Sequence, residues 1–402
     1  MHRHTLTRFA LISGFLGVTF APSVQAEPPA PAESSRSLQF DSPISASDVR
    51  PHIELLASPQ MKGRSGESAL VAATYIRSKF KKLELRPLFA DDRFFQQIPG
   101  VAGEDGKRPI AGRNVGGWIR GSDPDIADEF VIISAHYDHL GVRNGQIFTG
   151  ADDNATGVAM MLEVARLIAA AEIKPRRSIA FVGFDLEERM LWGSRWFAAH
   201  PPWPLERLKL FITADMIGRS LGNLPISTVF VMGSEHATQL KTTLDEVGSP
   251  RGLETARMGI DLIGTRSDYG PFWNREIPFL FFSTGQHPDY HTPRDVAELI
   301  NYDNVARVSG LVLRVAQTVA NADDSPEWID VPDSDLDEVR SLNRIATLLL
   351  ETGNEQNLNG LQRLLVSQAR NKTGQILKRG SITRNERTWL IRMAQLMLLS
   401  IF

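Results

Sequence analysis

The chain has 402 residues, 42% apolar and 23% charged, with a formal net charge of −3 and no cysteine. That length calls for one large domain with an appendage, or for two domains, and the ordinary composition excludes bulk disorder and a membrane bundle. The charge balance, with no clustered positive face before the C-terminal segment, excludes a broad nucleic-acid footprint; without cysteine there is no disulfide framework, no lipid on an N-terminal cysteine, and a metal site must use His, Asp and Glu.

Residues 1–26 run from basic MHRHTLTR through apolar FALISGFLGVTF to the small residues of SVQA. This is the pattern of a secretory signal peptide cleaved after Ala26, because the apolar run is about a dozen residues where a span needs roughly 20. Loss of Arg3 and Arg8, with no acidic residue in the segment, takes the mature charge from −3 to −5. The expected location is the periplasm or the extracellular space. Residues 27–44, opening with EPPAPAESSRS, have no apolar periodicity and read as a flexible leader.

The fold is expected to begin near Ser45 and to run over residues 45–321. From Asp48 to Leu85 the apolar residues recur at helical spacing (Ile53, Leu55, Leu56; Leu70, Ala73, Ile76, Phe80) around the turn-like MKGRSGES, giving two helices flanking a loop. Short β-branched runs follow: NVGGWI, FVIISA, SIAFVGF, KLFITA, STVFVM and IPFLFFS, some separated by helical stretches such as Gly157 to Ala171. Strands apolar on both faces and alternating with helices predict an α/β three-layer sandwich, with a central mixed, largely parallel sheet flanked by helices. Its ligand site is expected beyond the carboxyl ends of the strands. Residues 322–402 change to an acidic, Pro-containing stretch and then to helical patterns. They read as a helical C-terminal extension that covers apolar surface of the sheet domain.

Four strand runs end in, or shortly before, metal-competent side chains: FVIISA in His136, SIAFVGFDL in Glu187 and Glu188, KLFITA in Asp215, and IPFLFFS ahead of His291. Asp152 and Asp153 open a helix. Singly, each has an ordinary explanation, such as a surface HxD pair, an N-cap, or a solvated glutamate pair. Together they gather two imidazoles and several carboxylates at one crevice, a donor set suited to zinc or manganese. His139 and His287 read as loop-shaping residues, while His52, His200 and His236 have no supporting context. Trp192, Trp196 and Trp273 are candidates for a pocket wall or for core.

In order along the chain, AHYDHLG, GADDNATG, FDLEE followed by WGSRWF, TADMIG, SDYGPF and YHTPRD resemble the motifs of the exported co-catalytic di-zinc aminopeptidases, relatives of glutamate carboxypeptidase and glutaminyl cyclase. The resemblance covers about Asp48 to Ala320 and leaves out the C-terminal extension. It implies two Zn2+ per chain: His136 and Asp215 on one, Glu188 and His291 on the other, and Asp153, rather than Asp152, as the bridge. It further implies Asp138 as the carboxylate orienting His136, Glu187 as general base and Tyr290 as oxyanion donor. Two departures, RMLWGS after the glutamate pair and Tyr269 where many relatives have His, bear on pocket shape.

The function implied is an exopeptidase that removes N-terminal residues from peptides bearing a free N-terminus, with no nucleic-acid partner and no membrane attachment after signal cleavage. A single-zinc transferase of the glutaminyl cyclase type is the alternative. An inactive binding protein is disfavoured by the complete ligand set.

Overall fold

The computed structural model describes residues 38–91, 93–103, 106–330, 336–351 and 358–401. The signal-peptide segment, most of the leader, and the Val331–Asp335 part of the acidic stretch lie outside the described residues.

The chain opens with β1 (Gln39–Phe40), α1 (Ala46–Leu56), α2 (Glu67–Lys82), β2 (Arg86–Pro87), β3 (Phe95–Pro99), β4 (Ile110–Ile119), β5 (Phe130–His136) and the hairpin β6 (Gly141–Arg143) and β7 (Gln146–Phe148). Next come α3 (Gly157–Ala170), β8 (Ser178–Phe184), α4 (Trp192–Ala199), β9 (Leu208–Ala214), β10 (Thr228–Met232), α5 (Thr238–Val247), β11 (Ser249–Pro250) and β12 (Glu254–Met258). The last elements are α6 (Gly270–Trp273), β13 (Phe279–Ser283), α7 (Tyr302–Asn321), α8 (Leu336–Glu351), α9 (Gly360–Arg379) and α10 (Arg384–Ile401).

The six apolar runs read from the sequence all become strands of one sheet, in the order β12-β10-β13-β9-β5-β8-β4-β2, with β3 also paired to β4. The centre, β13-β9-β5-β8, is parallel, and the flanking pairs β10/β13 and β4/β8 are antiparallel. Every residue of β5 and β8 is buried, as expected for strands covered on both faces. Because these four strands run the same way, their carboxyl ends lie on one edge, where a crevice forms.

β1 pairs with β11 ahead of Ser45, so ordered structure begins earlier than the sequence suggested. A two-residue strand has no periodicity to betray it. β12 was also missed, because ETARM carries too few apolar residues to stand out.

Side chains of α1, α2, α3, α5 and α7 pack with one face of the sheet. The other face packs with Phe197 of α4 and Phe272 of α6, and with α8, α9 and α10 through residues such as Val339, Val366 and Met393. The C-terminal extension is therefore part of the second helical layer. A polar clasp fastens it: Arg387 donates to both oxygens of Asp261 at 2.7 and 2.9 Å and to Glu338 at 3.1 Å, while Glu338 also accepts the Gly259 N–H at 3.1 Å. His236 stacks on Trp328 with ring centroids 4.6 Å apart.

Removing one partner of such a clasp leaves the buried Glu338 carboxylate uncompensated, which costs more than the pair contributes. Arg387→Ala is expected to lower stability in urea unfolding by about 2 to 3 kcal/mol, below the fully buried range because Asp261 is partly exposed. Arg387→Lys recovers only part of this, since one ammonium cannot replace the planar fork. A loss under about 0.5 kcal/mol, the size of an ordinary surface change, would remove the clasp from the account.

Candidate metal centre

The crevice is assembled from strand ends. His136 is the last residue of β5, the Asp185–Glu188 turn leaves β8, Asp215 follows β9, and the loop after β13 carries His291. Asp153 sits in a tight segment, Ala151–Thr156, just before α3, and its peptide bond to Asn154 is cis.

Asp153 lies at the middle of the cluster. Its Oδ1 is 3.2 Å from His136 Nε2, and its Oδ2 is 3.1 Å from His291 Nε2 and 3.6 Å from His139 Nδ1. His136 Nε2 is 3.4 Å from Asp215 Oδ1. On the other side, Glu188 stands 3.2 Å from His291 and 2.8 Å from His139. Among the described residues, two sets of ligand atoms converge within 4.8 Å: His136, Glu187 and Asp215, and His139, Asp153 and Glu188.

These donors fit a pair of divalent cations. His136 Nε2, His139 Nδ1, Glu188 Oε1 and Asp215 Oδ1 are shielded from water and none is aligned in a hydrogen bond, an arrangement costly for polar atoms unless something binds them. All are nitrogen or oxygen ligands, as zinc accepts. The five residues proposed from the sequence, His136, Asp153, Glu188, Asp215 and His291, are brought together in this cluster, with His139 beside Asp153 and Glu188.

The electrostatics follow from this crowding. Burial disfavours a charge on His136, yet Glu187 and Asp215, with Asp138 and Asp153, outweigh it and hold its pKa well above the ordinary value. His291, also opposed by burial, is raised to about 10 by Asp153 and Glu188. Burial pushes Glu187 up, and Asp215, Asp268 and Asp153 add to this against the pull of His136. Asp153 goes the other way: its burial is overcome by His139, His136 and His291, and it stays ionised to well below the usual range.

A set of loop contacts fixes the geometry. Asp138 Oδ1 lies 3.7 Å from His136 Nδ1, beyond hydrogen-bond range; His136 Nδ1 donates instead to the Asp138 carbonyl at 3.2 Å. The Asp138 carboxylate accepts the N–H of Glu187 at 3.1 Å and of Glu188 at 3.4 Å. It thus also fixes the glutamate turn, beside the imidazole that the sequence reading expected it to orient. Asp295, fully buried, accepts the N–H groups of Asp152 and Asp153 at 2.9 and 3.0 Å. Arg64, also fully buried, donates to the carbonyls of Tyr137, Leu56, Thr149 and Gly150. Gly150 has φ +58°, and a Cβ there would lie 2.1 Å from the Asp153 carbonyl oxygen and 2.5 Å from His139, so only glycine permits this approach.

Tyr290 stacks on His291 with centroids 3.9 Å apart; burial and the carboxylates of Asp153, Asp215, Glu188 and Glu187 all raise its pKa, which keeps the hydroxyl protonated. Asp152 stands apart from the cluster, accepting the Gly218 N–H at 2.6 Å.

The family model for peptidase family M28 matches residues 114–316. The chain belongs to peptidase family M28. This M28 chain is 27% identical over 216 residues to aminopeptidase YwaD of Bacillus subtilis, an alignment spanning 51% of the chain and 44% of that protein. It is 25% identical over 226 residues to a glutaminyl-peptide cyclotransferase of Boiga dendrophila, with 46% and 61% covered. The chain thus spans about half the length of these curated relatives. The crystal structure of the LapA aminopeptidase of Legionella pneumophila shares the fold with TM-score 0.53 at 20% identity, over 69% of this chain and 73% of that one.

Four residues around the M28 site escaped the sequence reading. His139 was taken for a loop-shaping residue, although it lies against Glu188 and Asp153. Arg64 sits in a turn-like stretch with no link to the motifs, and Asp295 closes YHTPRD without a local sign of what it accepts. Asp268 is fully buried with neither oxygen aligned in a hydrogen bond, and burial raises its pKa to about 7; its only trace in the sequence is SDYGPF. Tyr269 is core, stacked on Phe279 with its hydroxyl tied to Gly264 and Arg266. Trp196 stacks on His200, and Trp273 packs beside Phe279.

Since neighbouring carboxylates hold the pKa of His136 and of His291 above the ordinary value, a cation bound there competes with protons. Zinc titrated into the metal-free protein at pH 7 is expected to release protons, and its affinity to rise with pH. Calorimetry in two buffers of different ionisation enthalpy measures the number; release of none would contradict the raised histidines.

Proposed function

We propose that this chain is an exported zinc-dependent aminopeptidase that hydrolyses the N-terminal peptide bond of peptides. The observation that carries this reading is Asp153, whose two oxygens face His136 on one side and His139 and His291 on the other. One carboxylate shared by two donor sets is the arrangement for two ions. In this reading His136 and Asp215 would hold one zinc, and Glu188 and His291 the other, with Asp153 available to both. A bound zinc pair supplies Lewis acidity, lowering the pKa of water to about 7 and polarising a carbonyl.

The chain's own groups complete the chemistry. Glu187 is half-buried beside His136 and Asp215 with a raised pKa, which suits a group that takes a proton from water at neutral pH and returns it to the leaving amine. Its main chain is pinned by Asp138, so the carboxylate reaches the crevice in a fixed direction. The Tyr290 hydroxyl, kept protonated, donates to the oxygen that gains charge as the carbonyl is attacked. Export rests on the composition of residues 1–26.

The likeness to glutaminyl cyclases supports a second reading, a transferase with one zinc. The paired donor sets favour the peptidase, and metal stoichiometry separates the two. The zinc-loaded mature protein is expected to carry two ions per chain and to release chromophore from aminoacyl p-nitroanilides. Glu187→Gln should lower kcat by about 10²- to 10⁴-fold while retaining both ions. One ion per chain with no amino acid released would favour the transferase, and a fully active Glu187→Gln would remove Glu187 from the mechanism.

A further inference from the structure

A cavity of about 590 Å3 lies beside the metal centre, with Asp215 and Tyr290 in its lining. Its wall on the sheet side is made by Met216, Phe230, Met232, Met258 and Phe281. The facing wall comes from the C-terminal extension: Leu342 and Ile345 of α8, and Ala394, Met397 and Leu398 of α10. Those residues lie beyond residues 114–316, the part matched to the family. The volume falls within the range of small-molecule sites, roughly 300 to 1,000 Å3, and exceeds what one small side chain fills.

We propose that α8 and α10 complete the substrate pocket, and that the pocket selects peptides with a bulky apolar N-terminal residue. The proposal rests on the aminopeptidase reading, because it places the side chain of the residue being released next to Asp215 and Tyr290. An apolar wall that reaches the reactive edge has one evident occupant there, an apolar substrate group. Its chemistry sets the breadth of the preference. Four methionines line the cavity, Met216, Met232, Met258 and Met397, and unbranched, polarizable thioethers repack around different shapes. Leu, Phe and Met side chains are therefore all accepted, while Gly and Ala leave the far wall untouched. The Arg387 clasp holds that wall in place: Arg387 lies on α10 with Ala394 and Met397, and it binds Glu338, on α8 with Leu342 and Ile345.

Leucyl and phenylalanyl p-nitroanilides are expected to exceed the alanyl substrate in kcat/KM by about 50-fold, from the extra apolar groups buried. Ala394→Trp fills the cavity from the α10 side and should cut the leucyl and phenylalanyl values by about tenfold or more while the alanyl value stays within about twofold. Leu399 lines the cavity yet is exposed, so Leu399→Glu tests the same wall without threatening the fold, and it decides the matter if Ala394→Trp is unstable. Parallel loss on all substrates, or no change on any, overturns the proposal. Should the wild type cleave none of them, the aminopeptidase reading fails, and calorimetry of the zinc-loaded protein with leucine hydroxamate and glycine hydroxamate still tests the pocket. A leucine preference of about tenfold that Leu399→Glu abolishes supports the pocket; equal affinities overturn it.

Discussion

The constraint on which the rest of the structure depends is the concentration of carboxylates at the strand ends. Asp153, Glu187, Glu188 and Asp215 share one small crevice, Asp153 buried and the other three half-buried. Two like charges about 4 Å apart repel by about 4 kcal/mol at an effective dielectric of 20, so four cannot remain ionised together without cations. This crowding is what raises the pKa values of His136 and His291 and, together with burial, those of Glu187 and Asp215. Divalent ions relieve the same crowding with more charge in less space. The site is therefore built to be incomplete, and its raised and lowered pKa values are two sides of one unmet demand for positive charge.

Such a cluster would push its loops apart if they were held weakly, and the surrounding contacts answer that. Asp295 accepts main-chain N–H groups on both sides of Asp152, which fixes the turn carrying Asp153 although Asp295 is itself acidic. Arg64 commits its donors to carbonyls of the β5 and β7 loops, so its charge lies beneath the cluster while its hydrogen bonds set backbone positions. Burial lowers its pKa, but Asp153, Asp295, Asp138 and Glu188 oppose that loss. Asp138 does the equivalent for the glutamate turn. Each group spends its hydrogen bonds on backbone, which leaves the inward-facing side chains free for ligation.

How much of this was legible in the sequence follows from which distances the sequence encodes. A buried parallel strand is a run of apolar residues, so a polar residue at its end announces itself; His136, Asp215 and the Glu187–Glu188 pair were visible for that reason. The resemblance, through the residues that follow Asp153 in GADDNATG, then chose Asp153 over Asp152, and the structure puts Asp152 on the Gly218 N–H, away from the cluster. Arg64, Asp295 and His139 had no such signal. Their roles depend on contacts to backbone or to residues tens of positions away, and a guanidinium bonded to carbonyls leaves no periodic trace. Asp138 shows the same limit at short range: its position beside His136 was evident, but which N–H its carboxylate accepts depended on the path of the β8 turn.

The C-terminal extension was read correctly as helical and apolar-faced, but amphipathicity says only that a face is covered, not what else that covering does. Here α8 and α10 join the helical layer on one face of the sheet, and residues of both also line the cavity that reaches Asp215 and Tyr290. Leu342, Ile345, Ala394 and Met397 do both, being buried in the core and lining the cavity beside Asp215. Stability and pocket shape are thus carried by the same two helices, and a change in their docking is felt in both. On the proposed function, a segment joined to the core this way would alter selectivity without touching a metal ligand, because it would move only a wall of the cavity beside Asp215.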